Sequence, residues 1–450
     1  MSKVDASGRA DVIVVGGGFA GLAAGALLAQ AGAQVTVLER RPVLGGRALV
    51  VKQESFTLNY GLHYIVGGHR SPHYRILKHI GKLNNAPLMP VKPRLLHRMK
   101  GGQLHIVPSA PVDMLSTRLL SVRGKLGLPL AMLRVMAAND EKLWRVPVGE
   151  WLDGVTREPT LRAFFLDLVG PLTFEPEAEK LSAAHFVQVM RPFLMPKGPI
   201  ALYPAGGWIT MFEAFKKHIE EHGGAVHLKT PAERLEINGG NISGVWAKGE
   251  LRRADHVIVA LPPSELTDLL KDTPVADLDP ERLRAIRPTM GVAIDLGVMG
   301  LKNDHIGTIE LPELNGTLGI HNLFEPSLAP AGGHLFQYLR FMTPEQMQDK
   351  ADVERTEPML LDVLEGIWPG FRDQIVTRRT LVRNVLTAAS HRYDQPRPTL
   401  LPVEVKSVRG LYLAGDATAS AGELSNAAGE SAVTAAGLIA KRAGLSAVSV

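Results

Sequence analysis

Residues 11–47 read DVIVVGGGFAGLAAGALLAQAGAQVTVLERRPVLGGR, and this stretch decides the fold. The β-branched run at its start predicts a strand that is buried on both faces of a parallel sheet. Gly16, Gly18 and Gly21 follow with the spacing GxGxxG, and the Ala- and Leu-rich segment after them predicts a helix. These glycines permit a tight turn, a close approach of the backbone to a pyrophosphate and close helix–strand packing. The pattern predicts a dinucleotide-binding unit whose helix N-terminus faces the phosphates.

An acidic residue and a second glycine pair complete this unit. Glu39 ends the second predicted strand, 18 residues after Gly21, and the acid that binds a ribose diol is expected after about 20 residues. Gly45-Gly46-Arg47 then offers another close approach of the backbone and a guanidinium to the same pyrophosphate.

With these motifs the sequence resembles the superfamily of FAD-dependent amine oxidases, protoporphyrinogen oxidases and phytoene desaturases. In that superfamily GxGxxG, an acidic–basic pair such as Glu39-Arg40 and a GGR motif mark bound FAD. The resemblance implies that FAD is the cofactor and that two later segments return to it. The backbone of Ala232, where the family usually has Val, would meet the adenine. Asp416 would bond the ribityl or phosphate part, and the helix beginning near Ser425 would point at the flavin. The predicted cofactor-binding residues are Gly16, Gly17, Gly18, Gly21, Glu39, Arg40, Gly46, Arg47, Ala232, Gly415, Asp416 and Ser425.

Two residues are candidates for a catalytic role. The resemblance places the glycine of an x-x-G-x-H stretch beside the flavin ring, which makes His63 either an active-site group or a polar residue that packs the pocket. Tyr393 either faces the flavin cavity or lies in a surface loop. His69 and His73 form only a loose pair without further ligands, so the sequence predicts no metal site.

The predicted fold class is α/β. A discontinuous, Rossmann-like FAD-binding domain of the GR2 type comprises residues 1–90, 203–285 and 400–450. An α+β substrate domain with a helical insert comprises residues 91–202 and 286–399.

Composition limits the class of protein. The chain has 450 residues, a net charge of +5 without a basic block, and no cysteine. Nucleic-acid binding is therefore poorly supported. The lack of cysteine excludes a disulfide framework, a thiolate metal site, a flavin linked through cysteine and a dithiol relay. The sequence shows no signal peptide and no apolar run long enough to span a bilayer, so we expect a cytoplasmic protein, soluble or peripheral at the inner membrane face.

The helical insert contains the one stretch that suggests a membrane surface. Residues 114–138 are apolar and Met-rich, and their only charges are basic. Such a stretch either lies in a membrane interface or forms a core-facing helix pair, which we expect to be broken near residues 124–129.

The resulting prediction is an FAD-dependent oxidoreductase that removes a hydride from a mostly apolar small molecule, such as a polyprenoid or carotenoid-like substrate. Only one dinucleotide fingerprint is present, so electrons would leave to oxygen, a quinone or another acceptor. The C-terminal GDATASAG is closer to the amine oxidase and protoporphyrinogen oxidase form than to typical desaturases. Three alternatives therefore stay open: an amine or amino-acid oxidase, a redox-neutral flavin isomerase, and a non-catalytic binding protein on the same fold.

Overall fold

Two large sheets organise the chain, and the computed structural model describes residues 10–60, 64–91, 96–108, 111–194, 198–303 and 305–450. The strands are β1 (Ala10–Val15), β2 (Val35–Leu38), β3 (Val50–Gln53), β4 (Phe56–Asn59), β5 (Ile65–Val66), β6 (Leu88–Pro90), β7 (Leu96–Lys100), β8 (Gln103–Ile106), β9 (Ala201–Pro204), β10 (Ala225–His227), β11 (Ala232–Asn238), β12 (Asn241–Ala247), β13 (Glu250–Val259), β14 (Thr289–Met299), β15 (Thr308–Leu311), β16 (Gly316–Ile320), β17 (Gly333–Met342), β18 (Ile375–Thr387) and β19 (Leu411–Leu413).

The helices pack either on a face of one of these sheets or against one another. They are α1 (Phe19–Ala31), α2 (Pro72–His79), α3 (Pro111–Ser116), α4 (Val122–Ala137), α5 (Val148–Val155), α6 (Pro159–Leu166), α7 (Val169–Thr173), α8 (Ala183–Leu194), α9 (Trp208–Glu221), α10 (Pro263–Leu269), α11 (Pro280–Ala285), α12 (Lys350–Ile367) and α13 (Ser425–Ala443).

The first sheet is the predicted parallel one. Its strands β10, β2, β1, β13 and β19 are parallel neighbours in that order. The first half of β13 also pairs antiparallel with β12, which in turn pairs with β11. Side chains of α1, α9 and α13 share one apolar core with one face of this sheet, and α10 contributes to the core on the other face. A largely parallel sheet between helices confirms the α/β fold class.

The second sheet has the order β18-β14-β17-β16-β15-β7-β8. Helix α12 packs its Leu360, Leu361 and Leu364 against one face of it, and α4, α5, α6 and α8 share a separate helical core. Each sheet draws on separated parts of the chain. The first uses residues 10–38, 225–259 and 411–413, and the second uses residues 96–106 and 289–387. The domain boundaries given above stay a prediction.

The expected break in the helical insert is wrong, because α4 runs through both Gly124 and Pro129. Ser121 caps its start by accepting a hydrogen bond from the N–H of Gly124 at 3.0 Å, so this glycine lies in a capped first turn. Pro129 removes one backbone hydrogen bond, but Leu128, Ala131 and Val135 beside it stay buried. Among the described residues no helix combines the length and the apolar character that crossing a membrane requires.

Candidate functional site

The glycine-rich turn between β1 and α1 is the first wall of the site. Gly16 has a φ of +112°, and a Cβ there would lie 2.7 Å from the carbonyl oxygen of Ala260. A Cβ on Gly21 would lie 2.0 Å from the carbonyl oxygen of Gly16, so the helix can approach the turn only without a side chain. The N–H of Gly45 donates to the carbonyl of Gly17 at 2.9 Å, which joins the second glycine pair to this turn.

Glu39 fixes the turn from the end of β2. One carboxylate oxygen accepts the N–H of Gly17 and the other accepts the N–H of Arg41, both at 2.7 Å. The side chain is buried and forms part of the cavity wall. The acid predicted to hold a ribose therefore also holds the backbone of the phosphate-binding turn.

A cavity of about 440 Å³ opens beside this turn, between the first sheet and the helical insert. Ten of the twelve predicted cofactor-binding residues line it: Gly16, Gly18, Glu39, Arg40, Gly46, Arg47, Ala232, Gly415, Asp416 and Ser425. Gly17 and Gly21 lie behind the wall, where they shape the turn. Three stretches that are far apart in the sequence thus meet at one cavity.

The cavity fits a flavin dinucleotide at its glycine positions. Gly415 has a φ of +143°, and a Cβ there would meet no atom within 4 Å. Since Gly415 lines the cavity, the bare backbone leaves that space for a bound group. Its N–H donates to the hydroxyl of Ser431 at 2.8 Å, which holds this turn against α13.

Arg47 and Asp416 form an ion pair in the cavity wall. Nη1 of Arg47 donates to Oδ2 of Asp416 at 2.8 Å, and Nη2 donates to Oδ1. Asp416 also accepts the N–H of Ala388 at 2.9 Å. Burial acts to raise the pKa of Asp416, but the charge and hydrogen bonds of Arg47 outweigh it and the pKa is lowered. The side chain of Arg47 is 39% exposed, so donors remain on the cavity side for a phosphate.

Ser425 is the first residue of α13 and not its cap. The capping position is Leu424, which has a φ of +52° and no side-chain capping bond. Both residues line the cavity. A nineteen-residue helix therefore begins at the cavity wall, where its N-terminal dipole favours negative charge.

Part of the cavity lining is apolar, and we call the following group of residues the apolar wall. It consists of Tyr64, Val66, Pro171, Leu172, Phe174, Leu386 and Leu424. Phe174 stacks on Phe341 with ring centroids 5.1 Å apart, and Tyr64, Leu386 and Leu424 pack against this pair. The hydroxyl of Tyr64 lies 3.0 Å from that of Thr308, and burial raises the pKa of Tyr64. The other charged lining residues, apart from Arg47 and Asp416, are Glu39, Arg40, Arg41, Glu233, Glu265 and Asp268.

The two predicted catalytic residues have different outcomes. His63 lies outside the described residues, so its role stays a prediction. Tyr393 is half-buried, its N–H donates to the carbonyl of Lys180 at 3.0 Å, and it is not among the residues that line the cavity. The position of Tyr393 therefore does not support a catalytic role, which stays a prediction.

The sequence reasoning missed a buried cluster next to the cavity, formed by His185, His391 and Glu423. Nε2 of His185 contacts Oε2 of Glu423, and Nε2 of His391 lies 3.6 Å from the same oxygen. Burial lowers the pKa of each histidine to about 3 and raises the pKa of Glu423 to about 7. The positions of Glu423, next to the predicted helix start, and of His391, two residues before Tyr393, are the sequence signals for two of its members.

Comparison with known proteins gives three results. A family model described as flavin containing amine oxidoreductase matches residues 19–440. Prolycopene isomerase 2, chloroplastic, of an Oncidium hybrid cultivar is 22% identical over 92% of this chain and 81% of its own length. The flavin-containing amine oxidase B of Canis lupus familiaris is 26% identical over 57% of this chain and 51% of its own length, so the match spans about half of that relative.

Solved structures share the whole architecture. An oxidoreductase from Methanosarcina mazei superposes with a TM-score of 0.77 at 21% identity, covering 94% of this chain and 99% of that chain. At this identity the likeness shows the fold.

Proposed function

Because this chain belongs to the flavin-containing amine oxidoreductase family, and is thus an FAD-dependent oxidoreductase, we propose that it removes a hydride from a mostly apolar small molecule. A polyprenoid or carotenoid-like compound is the substrate class that we favour. The reaction is of the dehydrogenase, oxidase or desaturase type.

The apolar wall is the observation that carries this proposal. It combines aliphatic and aromatic side chains, and the one polar atom of these side chains, the hydroxyl of Tyr64, already faces Thr308. A carboxylate or carbonyl groups would favour an amine or amino-acid substrate in its charged form, because an unpaired charge is costly away from water. Within the described residues no side chain of the apolar wall carries such a group.

The protein's part in the reaction is to bind and orient. FAD, when bound, accepts the hydride, and the chain supplies position and electrostatics. Arg47 would hold the pyrophosphate with the turn that Glu39 braces, and Gly415 would leave room for the backbone of the cofactor. The N-terminus of α13 would stabilise negative charge on the reduced ring. The apolar wall would keep water out and hold the substrate by burial alone.

Electron transfer and location complete the proposal. The sequence carries one dinucleotide fingerprint, which supports electron transfer to oxygen, a quinone or another diffusible acceptor without a second nucleotide domain. A lipophilic substrate would reach the cavity from a membrane surface, for which the exposed face of α4 is suited. It carries Val122, Leu126, Leu130 and Leu133 in helical spacing, each more than half exposed, beside the basic residues Arg123, Lys125 and Arg134.

A redox-neutral isomerisation is the second candidate function. The relative with the wider coverage is named prolycopene isomerase, and an isomerase would use the same apolar wall and the same cofactor. Amine or amino-acid oxidation remains a third candidate, because the other relative is an amine oxidase.

Product analysis distinguishes these candidates. The holoenzyme is incubated with cis and trans polyenes in detergent micelles, and in parallel with benzylamine and amino acids. We expect polyene products that have lost two hydrogen atoms. A product of unchanged mass would instead assign the isomerase, and turnover of the amines alone would overturn the proposal.

A further inference from the structure

The cluster of His185, His391 and Glu423 joins three distant parts of the chain next to the cavity. His185 lies on α8, His391 follows β18, and Glu423 precedes α13. The two histidines are 1% and 2% exposed, and Glu423 is 9% exposed. The two residues after Glu423, Leu424 and Ser425, line the cavity. Nothing in the binding of FAD described above uses this cluster.

The geometry of the rings argues against a metal site. The imidazoles of His185 and His391 are stacked, with centroids 4.1 Å apart and planes inclined by 18°. The lone pair of a ring nitrogen lies in the plane of its ring, so two nearly parallel rings at this spacing cannot both point at one ion about 2 Å away.

The same geometry suits a shared proton. Nε2 of His185 and Oε2 of Glu423 are in direct contact, and one proton between them satisfies both atoms. Neither ring nitrogen of His391 has a hydrogen-bond partner in the part of the chain that the structure describes. His391 therefore supplies a neutral ring against His185, and protonation of both stacked rings would place two like charges together.

We propose that Glu423 and His185 form a proton-binding site, and that this site takes up one proton when negative charge is added in the cavity. The proton comes from solvent and converts the carboxylate of Glu423 into a carboxylic acid that is hydrogen-bonded to His185. The site has no covalent step of its own. This inference rests on the family's cofactor and is independent of the substrate proposed above.

The charges around the site set the pH range in which Glu423 binds a proton. Burial and the charge of Asp416 in the cavity wall raise the pKa of Glu423. The nearby His391 and Arg397 lower it, and the resulting pKa is about 7. The raised pKa brings protonation of this carboxyl toward neutral pH. Charge added to the cavity then shifts its protonation, as the existing charge of Asp416 does.

Infrared difference spectroscopy on the holoenzyme tests the proposal. The bound FAD is reduced electrochemically at about pH 7 and again at about pH 5, two units below the pKa of Glu423. We expect the C=O band of a newly protonated carboxylic acid at the higher pH and little of it at the lower pH, where the acid is already protonated.

Two variants and a label assign the band. Glu423→Gln should abolish it, and Glu430→Gln should keep it, because Glu430 lies on α13 in an ion pair with Arg75 outside the cavity wall. If Glu423→Gln does not retain FAD, ¹³C-glutamate in the unsubstituted protein shifts the band and separates glutamate from aspartate. A band that is absent at both pH values, or unchanged in Glu423→Gln, would overturn the proposal. Retention of one equivalent of a divalent metal by the purified protein would also overturn it.

These outcomes are separate from the substrate question. Reduction is driven by the electrode, so a wrong substrate class leaves the band unaffected. Conversely, loss of the proton-binding site would leave the choice between polyenes and amines as it was.

Discussion

The contact between Gly21 and the carbonyl of Gly16 leaves no room for a side chain, because a Cβ would lie 2.0 Å from that oxygen. We expect Gly21→Ala to lower the free energy of unfolding by about 1–3 kcal/mol, the usual cost of overpacking, and to lower FAD content with it. Urea unfolding measures the change. Gly437→Ala is the matched control, since its Cβ meets no atom within 4 Å. It should be neutral or gain up to about 1 kcal/mol. Equal losses in both variants would contradict the packing role of Gly21.

The ion pair of Arg47 and Asp416 is the second feature at the residue scale. Asp416→Asn keeps the shape but removes the charge that orients the guanidinium. Charge-assisted hydrogen bonds contribute about 1.5–3 kcal/mol, so we expect FAD to bind about 10–100-fold more weakly. Fluorescence titration of the apoprotein with FAD gives the affinity. The exposed Asp373 provides the control variant Asp373→Asn, and identical affinities in the two variants would show that the pair does not serve the cofactor.

At the scale of elements, His73 joins α2 to α1 and α9. Its ring stacks on Phe19 with centroids 4.1 Å apart and meets Trp208 edge-on. Burial lowers its pKa from 6.5 to about 3. Because the unfolded chain binds a proton below pH 6.5 and the folded chain does not, this group's contribution to stability is present above that pH and is lost as the pH falls toward about 3.

His73→Phe should therefore reduce the acid sensitivity of the fold. We expect the slope of the unfolding free energy between about pH 6 and 4 to fall by up to about 1.4 kcal/mol per pH unit, the value for one proton. Thermal unfolding as a function of pH measures it. His69→Phe changes an exposed histidine and should leave the slope unaltered. A slope unchanged in His73→Phe would mean that His73 is protonated in the folded protein.

Helix α4 carries the prediction about membranes. Leu126 and Leu133 are 77% and 65% exposed, and their replacement by Ser removes apolar surface without touching the buried face. We expect the double variant to lose most of its binding to vesicles that contain anionic lipid at low salt, since burying one such side chain contributes about 1.5–3 kcal/mol. Vesicle flotation measures binding. Val382→Ser, at a 51% exposed position on β18, should bind as the unsubstituted protein does. Absence of binding before substitution would remove the membrane proposal.

At the scale of the whole molecule, the sequence predicts the features that depend on short local motifs. Gly16, Glu39 and Gly415 each belong to a short pattern whose physical requirement can be read from the chain, and all three line the cavity. Arg47 and Asp416 are 369 positions apart. The sequence motifs assign each of them to the cofactor and do not predict that they pair with each other. The sequence motifs therefore identify the residues at the cavity but not the contacts between them.

The features that could not be predicted from the sequence depend on tertiary packing. His185 and Glu423 are 238 positions apart, and no periodicity brings them together. Tyr64 precedes β5 and Phe174 follows α7, and only the folded chain packs these two distant residues together. The course of α4 through Pro129 depends on buried neighbours that compensate for one lost hydrogen bond. The proposals on the substrate and on proton binding rest on these features, whereas the cofactor is predicted from local motifs.

The central claim is that the apolar wall favours an apolar substrate over an amine. One measurement tests this claim most directly. The oxidised holoenzyme is mixed anaerobically with a polyprenoid or carotenoid in micelles, and separately with benzylamine, while the flavin absorbance is followed. The account predicts that the polyene bleaches the flavin and that the amine leaves it oxidised. Bleaching by the amine, with the polyenes inert, would contradict it.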